Sequence, residues 1–409
     1  MHLHLLIPEL LWPEPEDGLA YQELGPATLP ALSRLLDRCP PRRESALAPE
    51  IWLAQALEGD RAPLAYRRWQ GEGMAEGVVD RGLLDKTTVP QQNPIQAPSS
   101  RPILWLCADP AHLRLHQEQV VLADSRDLGL TPEEAQALGT ALGEHFSQAG
   151  DLEVQCFTPH PRRWYLRLQG GWLDPVWQAS QAPDGVSPAP AQDYPAPPLS
   201  AVTGRRLENL LPRSGGAPLA RHLAALFNEA QMFLYAHPVN EAREARGQAT
   251  VNSLWLWGAA WEPAIGPTQP ADVSRPWNVL YSDDTLSRGL ARSAGVPVQA
   301  LPDDYAGLAA AAGTVLAQIP DLLPPAQYQE AEDWRQALLD LEQRWFAPLL
   351  AALDGRQLES LTLVSPSSYG LLSWTPAPRN PWRFWQAFRQ PPAIQDLART
   401  LAADREEPR

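Results

Sequence analysis

Lysine is almost missing from this sequence. It occurs once, at Lys86, and every other basic residue is Arg. Arg favours planar, shaped ion pairs, so the basic groups read as fixed partners and not as a polybasic membrane patch. Positive charge is short overall: 33 Lys+Arg face 48 Asp+Glu, a formal net charge of −15 and a pI near 5.0. That balance excludes the positive surface on which non-specific nucleic-acid binding depends. Cysteine is scarce and odd in number. Cys39, Cys107 and Cys156 are far apart and form no CxxC pair, which excludes a disulfide framework and points to a reducing compartment. Long apolar runs are missing too, so no membrane helix is expected. The opening MHLHLLIPELLWP has no basic region ahead of its short apolar run, and Pro8 interrupts it. No signal peptide is expected from such a start, and the reading is a soluble cytoplasmic protein. P-loop, GxGxxG, GxSxG and HExxH signatures are all absent, which removes the common nucleotide, hydrolase and zincin signals.

What is present suits a folded chain. Of 409 residues 44% are hydrophobic, with 44 Pro and 16 Trp. This length predicts two or three domains, or one large α/β unit with an insert. His2 to Ile7 predicts a first strand that Pro8 ends, and Thr28 to Arg38 a helix closed by Pro40-Pro41. Pro49 to Leu57 predicts a short helix. Ile103 to Cys107 and Val120 to Ala123 predict strands. Thr131-Pro132-Glu133-Glu134 reads as a capping box opening a helix to about Ser147. Strands are then expected at Leu152–Phe157 and Trp164–Leu168. The Pro-, Ala- and Ser-rich stretch 178–204 reads as a linker with a composition that builds no core. Pro218 to Ala236 is amphipathic, and Val251 to Trp257 is apolar on both faces, like a strand between helix layers. Helices are expected at 284–295, 306–319, 330–353 and 390–402, with strands at 296–301 and 361–364. Alternating strands and helices predict a doubly wound α/β sheet with helices on both faces. The expected organisation is a discontinuous core of 1–102 and 205–409, an inserted α+β subdomain at 103–177, and the linker at 178–204.

Several groups are candidates for chemistry. His2 and His4 share a strand face; a polar or half-buried edge near the terminus explains them more simply than a metal pair. Cys107, Asp109 and His112 follow a predicted strand, so a nucleophile set or metal site is one reading. The other is a strand-ending turn made by Pro110, with Asp109 bonding local backbone. Asp124, Asp127, Glu133 and Glu134 form an acidic group, read either as a cation site or as a turn followed by dipole-complementing glutamates. The Trp-rich stretches near Trp255 and at 374–388 read as core packing.

The most informative stretch is Ala236 to Gly258, AHPVNEAREARGQATVNSLWLWG. Through His237, Pro238, Asn240, Arg243, Gly247 and Asn252 it resembles a segment of the archaeal-type cofactor-independent phosphoglycerate mutases, members of the alkaline-phosphatase superfamily. Ala27 to Leu35 is similar to the helix after their first strand. Residues from 123 to 135 and beyond resemble their inserted subdomain, and Ser282 to Gly295 resembles a segment leading into a Gly-terminated helix. LIPELLWP, CADPAHLR and HPVN…VNSLWLWG also look like the bacterial RpfE-type regulatory proteins. The resemblance implies an alkaline-phosphatase-like fold and, in catalytic members, two metal ions, a Ser or Thr nucleophile, and Asp and His ligands.

This sequence departs from that pattern. Where the family's first strand ends in Asp-Gly, it reads Ile7-Pro8-Glu9. Leu47 to Ile51, where the nucleophile would stand, has no matching Ser. The late Asp-x-x-x-His and Asp-His motifs have no counterpart in 320–334 or 364–375, and all 8 His lie at or before His237. The expectation is therefore a catalytically degenerate relative without a resident metal or other cofactor, with a regulatory or binding role toward a phosphorylated small molecule or a protein partner. Asn240, Arg243, Arg246 and Asn252 are the candidate anion-binding residues. Their other reading is structural, with helix capping and with the arginines paired to Glu241 and Glu244. One alternative is an active phosphotransferase with Mg or Mn at a non-standard site around Asp109, His112 and the Asp124–Asp127 loop. Another is an interaction module using the Pro-rich segment. Neither nucleic acid nor membrane is expected as a partner.

Overall fold

The computed structural model describes residues 1–59, 62–73, 102–116, 119–123, 125–148, 152–180, 194, 196–204, 217–262, 276–378 and 391–406. In chain order its elements are β1 (His2–Leu6), α1 (Pro30–Asp37), β2 (Arg42–Glu44), α2 (Pro49–Leu57), α3 (Leu64–Glu72), β3 (Ile103–His116), β4 (Gln119–Ala123), α4 (Ser125–Leu128), α5 (Pro132–Ser147), β5 (Leu152–His160), β6 (Arg163–Gly170) and α6 (Leu173–Ser180). They continue as α7 (Pro218–Tyr235), α8 (Pro238–Ala245), β7 (Ser253–Trp261), β8 (Val279–Tyr281), α9 (Thr285–Ala294), β9 (Val298–Gln299), β10 (Thr314–Gln318), α10 (Leu323–Gln327), α11 (Ala331–Leu341), α12 (Ala347–Asp354), β11 (Ser360–Ser367), β12 (Gly370–Trp374) and α13 (Ile394–Glu406). The result is a mixed α/β protein with two sheets. Among the described residues no helix is long and apolar enough to cross a membrane.

The chain divides into two compact units. The first comprises Met1–Leu53, Ser274–Asp284 and Ala294–Arg409. Its sheet runs β2-β12-β11-β1-β10-β8-β9, with β11, β1, β10, β8 and β9 parallel and β12 antiparallel to both of its neighbours, β11 and β2. β1 is its central strand, pairing His2–Leu6 with both Thr314–Gln318 and Ser360–Val364. The edge placement expected for His2 and His4 is thereby corrected, while the two side chains are exposed and half-buried respectively. His2 meets Ser360 Oγ and Glu359, while His4 packs edge-on against Trp277 at 4.9 Å. Leu3, Leu5 and Ile7 alternate onto the opposite face and join Trp334, Trp345, Phe346 and Trp374 in the core.

A buried carboxylate helps fix this unit. Helix α1 has no side-chain cap of its own at Leu29. Glu342, in a π turn between α11 and α12, accepts from the α1 amides of Ala31 (2.6 Å) and Leu32 (3.0 Å) instead. It thus meets orphan donors at a helix N-terminus, where a negative group is favoured. Burial pushes the Glu342 carboxyl up, and these two amides pull the other way.

The second unit comprises Ala54–Val273 and Thr285–Ser293. Its sheet is antiparallel, in the order β4-β3-β6-β5, with β7 also on β3. Leu104, Leu106, Ala108, Leu166, Leu168, Leu254 and Leu256 form a core with α5 and α7 residues such as Leu138, Leu142, Leu223 and Leu234. The expected capping box is present: Thr131 Oγ1 accepts from Glu134 N, and the Glu134 carboxylate accepts from Thr131 N.

Three expectations change. Strand β7 was expected in the doubly wound sheet, but all nine of its residues are buried in the antiparallel sheet of the second unit. A run apolar on both faces predicts burial and does not say which sheet supplies it. The second unit accordingly extends beyond the expected 103–177 boundaries. The 178–204 stretch contributes to that unit: Tyr194 is 4% exposed, Val202 is buried, and Pro197 O accepts from Trp255 Nε1 at 2.9 Å. Residues 306–319, expected as a helix, form a short 3-10 turn at Tyr305–Leu308 and then β10. The alanines favour helix, but Gly313 turns the chain at φ +74 and Val315–Ala317 are drawn between β1 and β8.

Within the second unit α3 and α9 approach at backbone contact. A Cβ on Gly71 would stand 1.8 Å from Thr285 O, and one on Gly289 would stand 1.7 Å from Arg67 O. Neither neighbour can give, because both are main chain. Gly71→Ala and Gly289→Ala are each expected to destabilise the protein by about 1–3 kcal/mol. Urea unfolding followed by tryptophan fluorescence checks this, with Gly73→Ala, which meets only a distant carbonyl, as the mild control.

Candidate functional site

In a parallel α/β sheet the place to look is the carboxyl edge of the strands. In the first unit this edge carries Ile7-Pro8-Glu9 after β1, Ile319-Pro320-Asp321 after β10, Ser282-Asp283-Asp284 after β8, and Ser365-Pro366-Ser367 at the end of β11. Its side chains bond mostly within the chain. Ser365 Oγ accepts from Leu10 N (3.1 Å), and Ser367 Oγ donates to Gly370 O (3.0 Å). Ser282 Oγ bonds Gln318 Oε1 (2.7 Å), and Asp321 pairs with Arg344 (3.1 Å). Among the described residues no group of three or more His, Cys, Asp and Glu stands together as a metal site would need. The edge's carboxylates, Glu9, Asp283, Asp284 and Asp321, do not gather into such a group, and Asp321 is paired with Arg344, so the arrangement does not fit a two-metal centre.

Asp109 and His112 lie in the second unit, in the middle of β3. The expected turn at Pro110 is not there. β3 continues to His116, and Pro110 pairs with Leu254 of β7. It falls between the stretch bonded to β6 (103–107) and the stretch bonded to β4 (112–116), where a missing N–H costs no ladder bond on that side. The separation of three residues points Asp109 and His112 to opposite faces. His112 Nδ1 meets Thr250 O at 2.8 Å. Asp109 is 0% exposed and accepts from Arg68 Nη1 (2.9 and 3.0 Å), Trp257 Nε1 (2.9 Å) and Trp164 N (3.3 Å). Cys107 shares this face, and burial pushes its thiol up to about 12, so it is no nucleophile at neutral pH. Asp124 lies outside the described residues. Asp127 falls within α4.

Around this hub runs a buried polar network that sequence reasoning missed. Glu72 accepts from Arg163 Nε (2.7 Å) and Nη2 (3.1 Å) and from Tyr165 OH (2.6 Å). Burial pushes the Glu72 carboxyl up, but Arg163 and then Tyr165 outweigh it, and the net shift is down. Burial, with Arg163 and Arg162 nearby, lowers His160 to about 4, so its imidazole is neutral at pH 7. Arg68 lies over the Tyr165 and Trp257 rings, at 5.4 and 5.3 Å. No local motif announces these partners, because α3, β3, β6 and β7 meet only after folding.

The four residues carried by the family-like motif do come together, as a strap. Asn240 Nδ2 donates to Leu234 O and Val251 O (both 2.8 Å), and Asn240 Oδ1 accepts from Val251 N (3.0 Å). Asn252 bonds both the N–H and the carbonyl of Leu113 (2.7 and 2.9 Å). Arg243, with its side chain 1% exposed, donates to Ala249 O, Leu128 O and Glu134. Arg246 donates to the other Glu134 oxygen (2.6 Å) and to Gln248. The expected pairing with Glu241 and Glu244 is thus replaced by Glu134, the residue that completes the α5 capping box. Every nitrogen of Arg243 is engaged within the chain, so an anion there would have to displace one of these contacts.

Two outcomes follow. Arg68→Met leaves Asp109 buried without its cation and is expected to cost about 3–5 kcal/mol, more than the double variant with Asp109→Leu; chemical denaturation of the parent and the two variants checks the order. The second concerns pH. The unfolded chain binds protons that folded His160 and Glu72 refuse, so both contributions fade as pH falls. His160 governs the window from about 6.5 to about 4. Glu72 governs the range below its ordinary 4.5. Thermal unfolding against pH should show His160→Gln flattening the upper window and Glu72→Gln the lower.

Comparison with known proteins supplies the setting for this geometry. No family model matches the chain. The 2,3-bisphosphoglycerate-independent phosphoglycerate mutase of Methanosarcina barkeri is 30% identical over 122 residues, 28% of this chain and 29% of its own. That of Methanosarcina acetivorans is 26% identical over 180 residues, 40% and 44% of the two chains. The matches thus span less than half the length of either relative. Among solved structures, the cofactor-independent phosphoglycerate mutase from Thermoplasma acidophilum is 18% identical with a TM-score of 0.37, covering 92% of this chain and 90% of that one. A Pyrococcus horikoshii protein is 15% identical with a TM-score of 0.45, covering 92% and 87%. On the sequence matches, the chain is distantly homologous to the cofactor-independent phosphoglycerate mutases.

Proposed function

We propose that this chain is a catalytically degenerate relative of the cofactor-independent phosphoglycerate mutases, on an alkaline-phosphatase-like layout, with a regulatory role in the cytoplasm like that of the RpfE-type proteins. It acts by binding a phosphorylated small molecule or a protein partner, without mutase turnover. The observation that carries this reading is the chemistry at the carboxyl edge of the parallel sheet. Glu9, Asp283, Asp284, Ser365 and Ser367 stand there, and Asp321 is tied to Arg344. Two divalent ions need several convergent carboxylates and imidazoles to be held and to activate a nucleophile. Among the described residues the Ser365 and Ser367 hydroxyls bond main chain, Asp321 pairs with Arg344, and Glu9, Asp283 and Asp284 belong to no cluster of three or more acidic, His or Cys side chains. Asn240, Arg243, Arg246 and Asn252 enter this reading as the scaffold of the binding unit. A phosphorylated ligand would have to meet other groups, or displace one of Arg243's partners.

The test is a mutase and phosphatase assay on the purified full chain with added Mn²⁺, together with elemental analysis. Turnover at or below the uncatalysed background, with a thermal shift on adding 3-phosphoglycerate or another phosphorylated metabolite, is the expected result. Sustained turnover that scales with enzyme concentration and survives repurification sinks the degenerate reading. A flat response to every phosphorylated compound, with one protein co-purifying at fixed stoichiometry, would assign the role to partner binding.

A further inference from the structure

The chain just past β1 is buried where a loop would ordinarily be wet. Residues from Leu5 to Trp12 are all buried, although the strand ends at Leu6. Glu9 is 4% exposed, and Leu10 and Leu11 are buried completely. A buried segment without regular structure must have its main-chain polar groups met by something other than water. Here they are met from several directions. Ile7 N and Glu9 N donate to Val364 O (2.8 Å) and Pro366 O (2.9 Å), which extends the β1–β11 ladder past the strand. Leu10 N donates to Ser365 Oγ (3.1 Å). Glu9 O accepts from Trp334 Nε1 (2.9 Å). Trp12 O accepts from Tyr369 OH (2.6 Å) and Tyr21 OH (3.2 Å). The Trp12 ring packs on Trp334 at 5.6 Å, with Tyr21 against the same ring at 5.9 Å.

We infer that Pro8–Trp12 is a built-in plug: it fills the carboxyl edge beside β1 and β11, and its main chain is held there by neutral hydrogen bonds that need no cation. The inference rests on the proposed function only in taking this edge as the place where a metal-dependent relative would bind its ions. The physical contrast is direct. Carboxylates gathered at a strand edge repel one another until a cation arrives, so such a fold is stabilised by the metal it binds. The Ser365, Tyr21 and Tyr369 hydroxyls, the Trp334 indole and the Val364 and Pro366 carbonyls carry no net charge and meet the main chain of the segment without an ion. Glu9 is the single carboxylate within the plug, and its backbone lies in the left-handed region at φ 55. That conformation is uncommon outside glycine, and here the Pro366 and Trp334 bonds on either side of the residue secure it.

The experiment is hydrogen–deuterium exchange by mass spectrometry on the full chain, in EDTA and in millimolar Mn²⁺ or Mg²⁺, with thermal unfolding under the same conditions. Peptides covering 7–12 are expected to be protected equally with and without the ion, and the melting temperature to be unmoved. Ser365→Ala and Tyr369→Phe should raise exchange in those peptides by roughly tenfold or more. Should Ser365→Ala fail to fold, Tyr369→Phe alone reports. Free-peptide exchange rates across 7–12 in the parent chain overturn the inference. So does a saturable rise in melting temperature with Mn²⁺ that coincides with stoichiometric bound metal and is lost in Glu9→Gln. Mutase turnover by the metal-free chain would count against the proposed function and leave the plug standing.

Discussion

The Asp109 carboxyl is wholly buried, and the elements of the second unit converge on it. Burying an isolated carboxylate costs several kcal/mol or more, so its partners are obligatory. They come from separate parts of the chain: Arg68 from α3, Trp164 N from β6 and Trp257 from β7, all converging on one residue of β3. The demand is geometric as well as electrostatic. Arg68 reaches Asp109 from a helix that lies on the sheet, and Gly71 and Gly289 let α9 come down on that helix at main-chain distance. Glu72, one turn beyond Arg68 on α3, then clamps Arg163 and Tyr165. The helix is thus fixed to the sheet by two buried ionic groups a turn apart.

Past β1 the first unit meets buried main-chain groups with uncharged partners. Its parallel strands end in a segment that is buried and irregular, and every donor named there finds a carbonyl or hydroxyl of the same unit. Glu342 extends the principle, since a buried carboxylate serves as the cap that α1 lacks in its own sequence. In both units buried polar groups are spent on holding the fold. The side chains most suggestive of chemistry in the sequence, Asp109 and Arg243 above all, are the ones most completely engaged. A perturbed or buried ionisable group marks a functional site only when something is left for a ligand to bind.

How much of this could be read beforehand differs by feature. The capping box at Thr131–Glu134, the Pro-led helices α2 and α7, and the Gly295 stop of α9 are local devices whose partners lie within one turn, and the sequence shows them directly. The helix-like alanines of 309–312 misled, because propensity is a weak term beside placement between two buried strands. Pro110 misled for a related reason. A proline ends a strand only where its N–H would have been used, and which neighbour lies on that side is not a local property. The loss of the metal-ligand pattern at Ile7-Pro8-Glu9 was legible as a departure from a resemblance. What fills the space was not, because Ser365, Trp334 and Tyr369 stand more than 320 residues away from the plug they hold.

By itself the sequence determined the alternation of strands and helices, the likeness of Ala236–Gly258 to a mutase segment, and the absence of any His beyond His237. Those features are carried by residue identity and short spacing. Only the tertiary structure decided that β7 joins the antiparallel sheet, that Glu134 takes both arginines, and that Asp109 and His112 face opposite ways. Each of those depends on which surfaces meet. A charge or a hydrogen-bond donor must be buried with a partner, but nothing in its neighbours along the chain says which distant partner it will be.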